Sequence, residues 1–126
     1  MEEIFAFCGD GIYRIEGRAV RCGEDVAFLF AGGTKPHIGA VSLAVYEPQR
    51  HSASVSTVTV YGHRDDELAA SGAKKAASKL GCTVSVSIGI HVDDADASEL
   101  EILRRNFAGC LDRLLAELEE KRRNVG

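Results

Sequence analysis

In the first half of the chain apolar positions recur with the two-residue rhythm of strands, and in the second half the rhythm lengthens to that of helices. "IFAFC" (4–8) and "IYRIEGRAVRC" (12–22) flank the turn "GDG". In the second run Ile12, Arg14 and Glu16 alternate with Tyr13 and Ile15, as in a strand wet on one face. Gly17 is expected to bend that strand or to mark a bulge. "GED" (23–25) turns the chain into "VAFLFA" (26–31), which is apolar without alternation and predicts a strand covered on both faces. "GGTKP" (32–36) breaks it, "IGAVSLAVY" (38–46) forms the next strand up to Pro48, and "SASVSTVTVY" (52–61) follows, rich in strand-favouring Val and Thr.

From Asp65 to Leu80 the period changes: Ala69, Ala73, Ala76, Ala77 and Leu80 fall on one helical stripe, with Asp65 as N-cap and Gly81 just past the end. "CTVSVSIGI" (82–90) is one more strand. Ser98 and Glu101 read as a capping box opening a last amphipathic helix of about 24 residues, with Leu100, Leu103, Phe107, Cys110 or Leu111, Leu114 and Leu118 on its apolar stripe. The order β-β-β-β-β-α-β-α predicts an α+β fold. Its mixed, mainly antiparallel sheet has about six strands, one parallel βαβ unit and a long C-terminal helix. At 126 residues the chain is expected to be a single domain spanning 1–126.

The connections 22–26, 31–38 and 47–52 are short, so successive strands are expected to pair as antiparallel hairpins. Strand 26–31 then points the same way as 52–61. The βαβ unit over 52–90 adds a parallel third strand. The strands ending near 31, 61 and 90 thus finish at one edge, and with them come His37, His63 and His91. His51 lies in the 47–52 connection, at the opposite edge. Ligands bind outside the carboxyl ends of parallel strands in open sheets, so the shared edge is the candidate site.

The surroundings suit that reading. Gly32 and Gly33 let backbone approach a ligand, Lys35 is a cation beside His37, and Gly62 and Gly89 sit next to His63 and near His91. Both helices start at this edge and turn their N-terminal N–H groups towards it, which favours an anion. The edge also carries Asp65, Asp66, Glu67, Asp93, Asp94 and Asp96. Three imidazoles with carboxylates form a ligand set for a divalent transition metal: His37, His63 and His91, with Glu67 or Asp93. The plainer readings are that a strand-end histidine is a turn residue, the acids are helix caps, and Lys35 is solvated.

Composition narrows the classes. A formal net charge of −4 with scattered basic residues argues against a nucleic-acid binder. "KRR" (121–123) reads as complementing the end of the last helix. No apolar stretch approaches the ~20 residues of a membrane helix, and the acidic start lacks a signal-peptide pattern, so a cytoplasmic location is expected. Cys8, Cys22, Cys82 and Cys110 make no C-x-x-C motif and read as buried free thiols. There is no G-x-S-x-G, P-loop or G-x-G-x-x-G; Ser54, Ser56, Thr57 and Thr59 read as strand formers rather than nucleophiles.

"GGTKPHIGAVSLA", "YGHRDDELA" and "GIHVDDA", in that order before one long helix, resemble the small D subunit of the hydroxyarylic-acid (gallate-type) decarboxylases, a prenylated-flavin chaperone-like domain. The resemblance covers roughly 10–120. It implies a non-catalytic accessory protein that binds prenylated FMN and delivers or protects it for the large decarboxylase subunit. The cofactor-binding residues it implies are Gly32, Gly33, Lys35, His37, Gly62, His63 and His91. Tyr61 and Phe30 are the aromatics within reach of a flavin ring, and a homodimer is expected to supply the other wall, through sheet edges or helix packing. Two other readings stand beside it: a metal-dependent hydrolase or lyase with a three-histidine site and Glu67 or Asp93 as base, and a structural subunit of a larger enzyme.

Overall fold

The strand rhythm of the first half resolves into β1 (Glu3–Cys8), β2 (Ile15–Cys22), β3 (Asp25–Gly33), β4 (Ala40–Glu47) and β5 (Ser52–Thr59); the second half forms α1 (Asp65–Leu80), β6 (Val84–His91) and α2 (Ala97–Val125). This computed structural model describes residues 1–60 and 65–125, the last three of these by backbone alone. The element order is the one the periodicity predicts. Ile12 and Tyr13, expected in a strand, instead belong to a 3-10 turn at Gly11–Tyr13.

One six-stranded sheet runs β1-β2-β3-β6-β4-β5. The expected hairpins β2–β3 and β4–β5 form, but the one between β3 and β4 does not: β6 lies between them. Residues 34–39 bridge the gap, and six residues at up to ~3.4 Å each easily span two strand spacings of ~4.8 Å. β6 is parallel to β3 and antiparallel to β4, and β4 is antiparallel to β5. Hence β3, β5 and β6 point the same way, as expected, and β5-α1-β6 is a parallel crossover that steps over β4. The directly hydrogen-bonded parallel pair is β3–β6, from Val26↔Val84 to Gly33↔His91.

Both helices cover the same face. Val26, Phe28, Phe30, Val84, Val86 and Ile88 point from the central strands into the core, and all of α1's predicted stripe is buried. On α2, Leu103, Phe107, Cys110, Leu111, Leu114, Leu115 and Leu118 are buried, whereas Leu100 is exposed. β3 therefore alternates, contrary to the expectation of cover on both sides: Ala27 and Leu29 face outward. An apolar run marks a doubly covered strand only when there is a second layer, and among the described residues there is no third α-helix to supply it. Gly17 makes no bulge either, since its register with Ala6 and Phe30 is continuous. A Cβ there would lie 2.8 Å from the Cys110 sulfur and from the Phe30 ring, so glycine is needed for close sheet–helix contact.

The helix ends correct two further expectations. The capping box on α2 is Asp96–Glu99, not Ser98–Glu101: Asp96 Oδ1 accepts the Glu99 N–H at 2.8 Å, and Glu99 Oε1 accepts the Asp96 N–H at 3.2 Å. Ser98 instead donates its hydroxyl to Asp96. Arg122 serves the neighbouring helix, donating to the Leu80 carbonyl at the end of α1, where Gly81 (φ +66°) also caps by donating to Ala77. All cysteines are free, but only Cys110 is fully buried; Cys22, at the end of β2, is exposed.

Burial, assisted by the neighbouring Cys8, pushes the Cys110 thiol up to about 12, so it stays neutral and unreactive in the folded protein. Alkylation at pH 8 followed by mass spectrometry is expected to label Cys22 first and Cys110 only after unfolding. The Asp96 carboxyl is held below its ordinary 3.8 by the Glu99 N–H and then by the Ser98 hydroxyl. A folded-state pKa below the unfolded one adds stability above the unfolded value, lost as pH falls through the folded value. Asp96→Ala should therefore lower Tm by a few degrees at pH 7, a deficit that shrinks below about pH 3.8 in thermal melts.

Candidate functional site at the carboxyl edge of the sheet

Gly33, at the end of β3, pairs with His91, at the end of β6, and takes φ +83° to do so. A side chain at Gly33 would collide with the His91 carbonyl. That carbonyl accepts the Thr34 N–H at 2.7 Å and the Thr34 hydroxyl at 3.1 Å, tying the 34–39 loop to β6. The loop then crosses directly over Gly89, where any Cβ would overlap the His37 carbonyl. "GGTKPHIG" and "IGIH" are thus two halves of one close backbone crossing, and their glycines are its steric condition.

The crossing brings His37 and His91 together, ring centroids 6.4 Å apart and nearly perpendicular. His37 Nδ1 lies 2.9 Å from the Lys35 carbonyl. A carbonyl only accepts, so Nδ1 carries the proton. His37 Nε2 faces Asp65 Oδ2 at 3.5 Å. Asp65 is buried, and its Oδ1 accepts the Ile90 N–H at 3.3 Å, which links the start of α1 to β6. His91 Nε2 lies 2.8 Å from Asp93 Oδ1, and Lys35 Nζ lies 3.7 Å from the same oxygen. The His91 hydrogen bond, then the Lys35 charge, hold the Asp93 carboxyl below the usual carboxylate range. Two histidine–aspartate pairs therefore stand side by side, one half-buried and one open to water.

Next to them, between the first turn of α1, the end of β6 and α2, opens a cleft of about 530 Å³. Asp65, Asp66, Glu67 and Arg104 supply its polar wall, and Leu68, Ile90, Val92, Leu100 and Leu103 its apolar one. A second hollow of about 340 Å³ continues between the helices past Gly72 to Phe107 and Leu111.

The structure distributes the sequence-derived candidates as follows. His37, His91, Lys35, Asp93 and Gly33 meet at the edge, and Glu67 stands exposed on the cleft wall. Gly32 is packed against the Arg14 carbonyl and Ile15 of β2. Tyr61, Gly62 and His63 lie outside the described residues. His51 is at the far edge, in a left-handed turn after residues 48–50. Phe30 cannot stack on a ligand: it is fully buried in edge contact with Phe107, ring centroids 4.8 Å apart. Among the described residues, no three His, Cys, Asp or Glu side chains gather as a metal cage.

Sequence reasoning missed the apolar wall and Arg104. Leu100 and Leu103 were legible only as helix stripe. What distinguishes Leu100 is its place at the head of the stripe, beyond the end of β6, where no strand remains to bury it.

No curated protein matches the chain. Among solved structures it is similar to a chain in the crystal structure of a novel chaperone complex for yeast 20S proteasome assembly, with a TM-score of 0.60 and 13% identity over 94% of this chain and 95% of that one. A likeness at that identity is one of fold. The family model of the prenylated flavin chaperone LpdD-like domain matches residues 9–119, which takes in every strand but β1, the whole 34–39 crossing, both histidine–aspartate pairs and most of α2. The chain belongs to this prenylated flavin chaperone family.

Proposed function

We propose that this protein is a non-catalytic accessory factor that binds prenylated FMN in the cleft beside His37 and His91 and delivers or protects it for a partner decarboxylase. The carrying observation is the cleft itself, whose 530 Å³ falls within the ~300–1,000 Å³ of small-molecule sites and whose two walls differ in character. A flavin mononucleotide is likewise two-natured, with a flat apolar ring and one phosphate. Leu68, Leu100 and Leu103 would pack on the ring, and Leu100, 41% exposed, has no cover of its own. Arg104 and Lys35 are the cations within the site's reach, and the N-terminal turns of α1 and α2 add their N–H groups. His37, His91, Gly33, Gly62 and His63 belong to the same edge in this reading, and Gly32 supports it from beneath.

Incubation of the protein with reduced prenylated FMN should give co-elution and a visible spectrum on gel filtration. Leu100→Asp and Arg104→Glu should each weaken retention at least tenfold, while His51→Ala, at the far edge, should not. No retention by the unsubstituted protein would overturn the reading.

The reading extends to a divalent ion held by His37, His63 and His91, with Glu67 or Asp93, bridging the acids to an anionic ligand. It predicts one ion per chain by elemental analysis after dialysis against Mn²⁺ or Zn²⁺, and its loss in His63→Ala. Protein that takes up no metal removes the ion and leaves the cofactor role standing. Stoichiometric metal with turnover of a substrate would favour the hydrolase or lyase instead.

A further inference from the structure

The helices leave the other face of the sheet bare. On it lie Phe5 and Phe7 of β1, Leu29 of β3, Val41, Leu43 and Val45 of β4, and Val58 of β5, all exposed. Side chains alternate along a strand, so these share a face with Ser85, Ser87 and Gly89 of β6. From that face we infer that the protein is a homodimer packed sheet to sheet, with the His37–His91 edge at the rim of the interface.

The area is sufficient. Six strands ~4.8 Å apart, each presenting about six residues at ~3.3 Å, cover roughly 600 Å² in plane per copy. Two copies bury about 1,200 Å², the lower bound of specific interfaces before side-chain relief is counted.

The shape and charge fit a second copy. Leu29 and Val41 flank Ser87 across the ladder, and Ala27 and Leu43 flank Ser85. The middle of the face is therefore a shallow trough of small residues between two apolar ridges, which can receive the ridges of its own copy. Formal charges cluster on the β1–β2 side, as Glu3, Arg14, Glu16 and Arg18, with Asp25 of β3 and Glu47 of β4 at the end away from the histidines and none on β5. A two-fold axis along the strands lays this charged side over the uncharged β5 of the partner; an axis across them lays like charge on like. The first arrangement is favoured, and it places the carboxyl edges of both copies at the same end. His91 follows Ser87 and Gly89 on the open face, and the 34–39 loop stands over that face with Ile38 exposed. At the ~10 Å spacing of stacked sheets, the loop of each copy then meets its mate beside the histidine pairs. The partner would then cover the open-face side of the histidine pairs, opposite the cleft between the helices.

Sedimentation velocity of the full chain at micromolar concentration should give twice the 13.5 kDa chain mass. Leu29→Lys and Leu43→Lys should each halve it with the far-UV spectrum unchanged, either variant sufficing if the other fails to fold. Arg105→Glu, on the exposed side of α2, should remain dimeric. For the unsubstituted protein, dilution that halves the mass should raise anilinonaphthalene sulfonate fluorescence per chain. A monomer at all concentrations, a dimer that survives both lysine variants, or a halved mass without the fluorescence rise would overturn the proposal.

Discussion

Insertion of β6 between β3 and β4 is the constraint on which the rest of the structure depends. It turns the 34–39 segment from a hairpin loop into a bridge, and a bridge over a filled position must pass above the intervening strand. It can do so only where that strand has no side chain. Gly89 provides the gap, Gly33 the left-handed turn that starts the crossing, and Gly39 the space in which the Asp65 carboxylate sits. A methyl at any of the three would meet backbone or a buried carboxylate. His37 and His91 are neighbours because of this crossing, and Asp65 fastens the start of α1 to it through Ile90.

Much of this was readable along the chain, and the unread part has a physical cause. Periodicity is a local property, so it yielded the elements and their order, including the alanine stripe that lets α1 lie close on the sheet. Strand direction was readable too, because reversals simply accumulate. Strand neighbourhood is not local. The short 31–38 connection was compatible both with a hairpin and with a bridge over β6, and only long-range pairing between "VAFLF" and "VSVSI" decides between them. Direction survives that error because inserting β6 parallel to β3 leaves β4 reversed. The shared direction of β3, β5 and β6 was therefore sound while the route to it was not, and His63 lies outside the described residues. The cap on α2 was misplaced by two residues for a similar reason. "DASELE" contains both D-x-x-E and S-x-x-E, and the chain's exit from β6, anchored where Tyr13 donates to Glu99 at 2.8 Å, favours the earlier one.

The apolar run of β3 is the more instructive misreading. "VAFLFA" looks like a strand buried on both faces, yet Leu29 is 44% exposed. The count of helices in the sequence already implies the answer, since both pack on one side and nothing in the described chain covers the other. Read together with Val41, Leu43 and Val45, the outward Leu29 is part of a surface rather than an isolated exposed leucine. The apolar pattern of this chain exceeds what the described helices and sheet bury between them.

Fold and site are separable in this architecture. The core between sheet and helices rests on Phe30, Phe107, Val86, Ile88 and Leu111, Leu114, Leu115 and Leu118 of α2, none of which lines the cleft at the carboxyl edge. The edge rests on glycines, two histidine–aspartate pairs and the first turns of two helices. A chain of 13% identity can therefore keep the sheet and helices while carrying other chemistry at the edge, which is why the shared fold says little about the ligand. The family match says more because it spans the crossing itself. In this chain the backbone crossing over Gly89 and the half-apolar cleft beside the histidines share the end of β6.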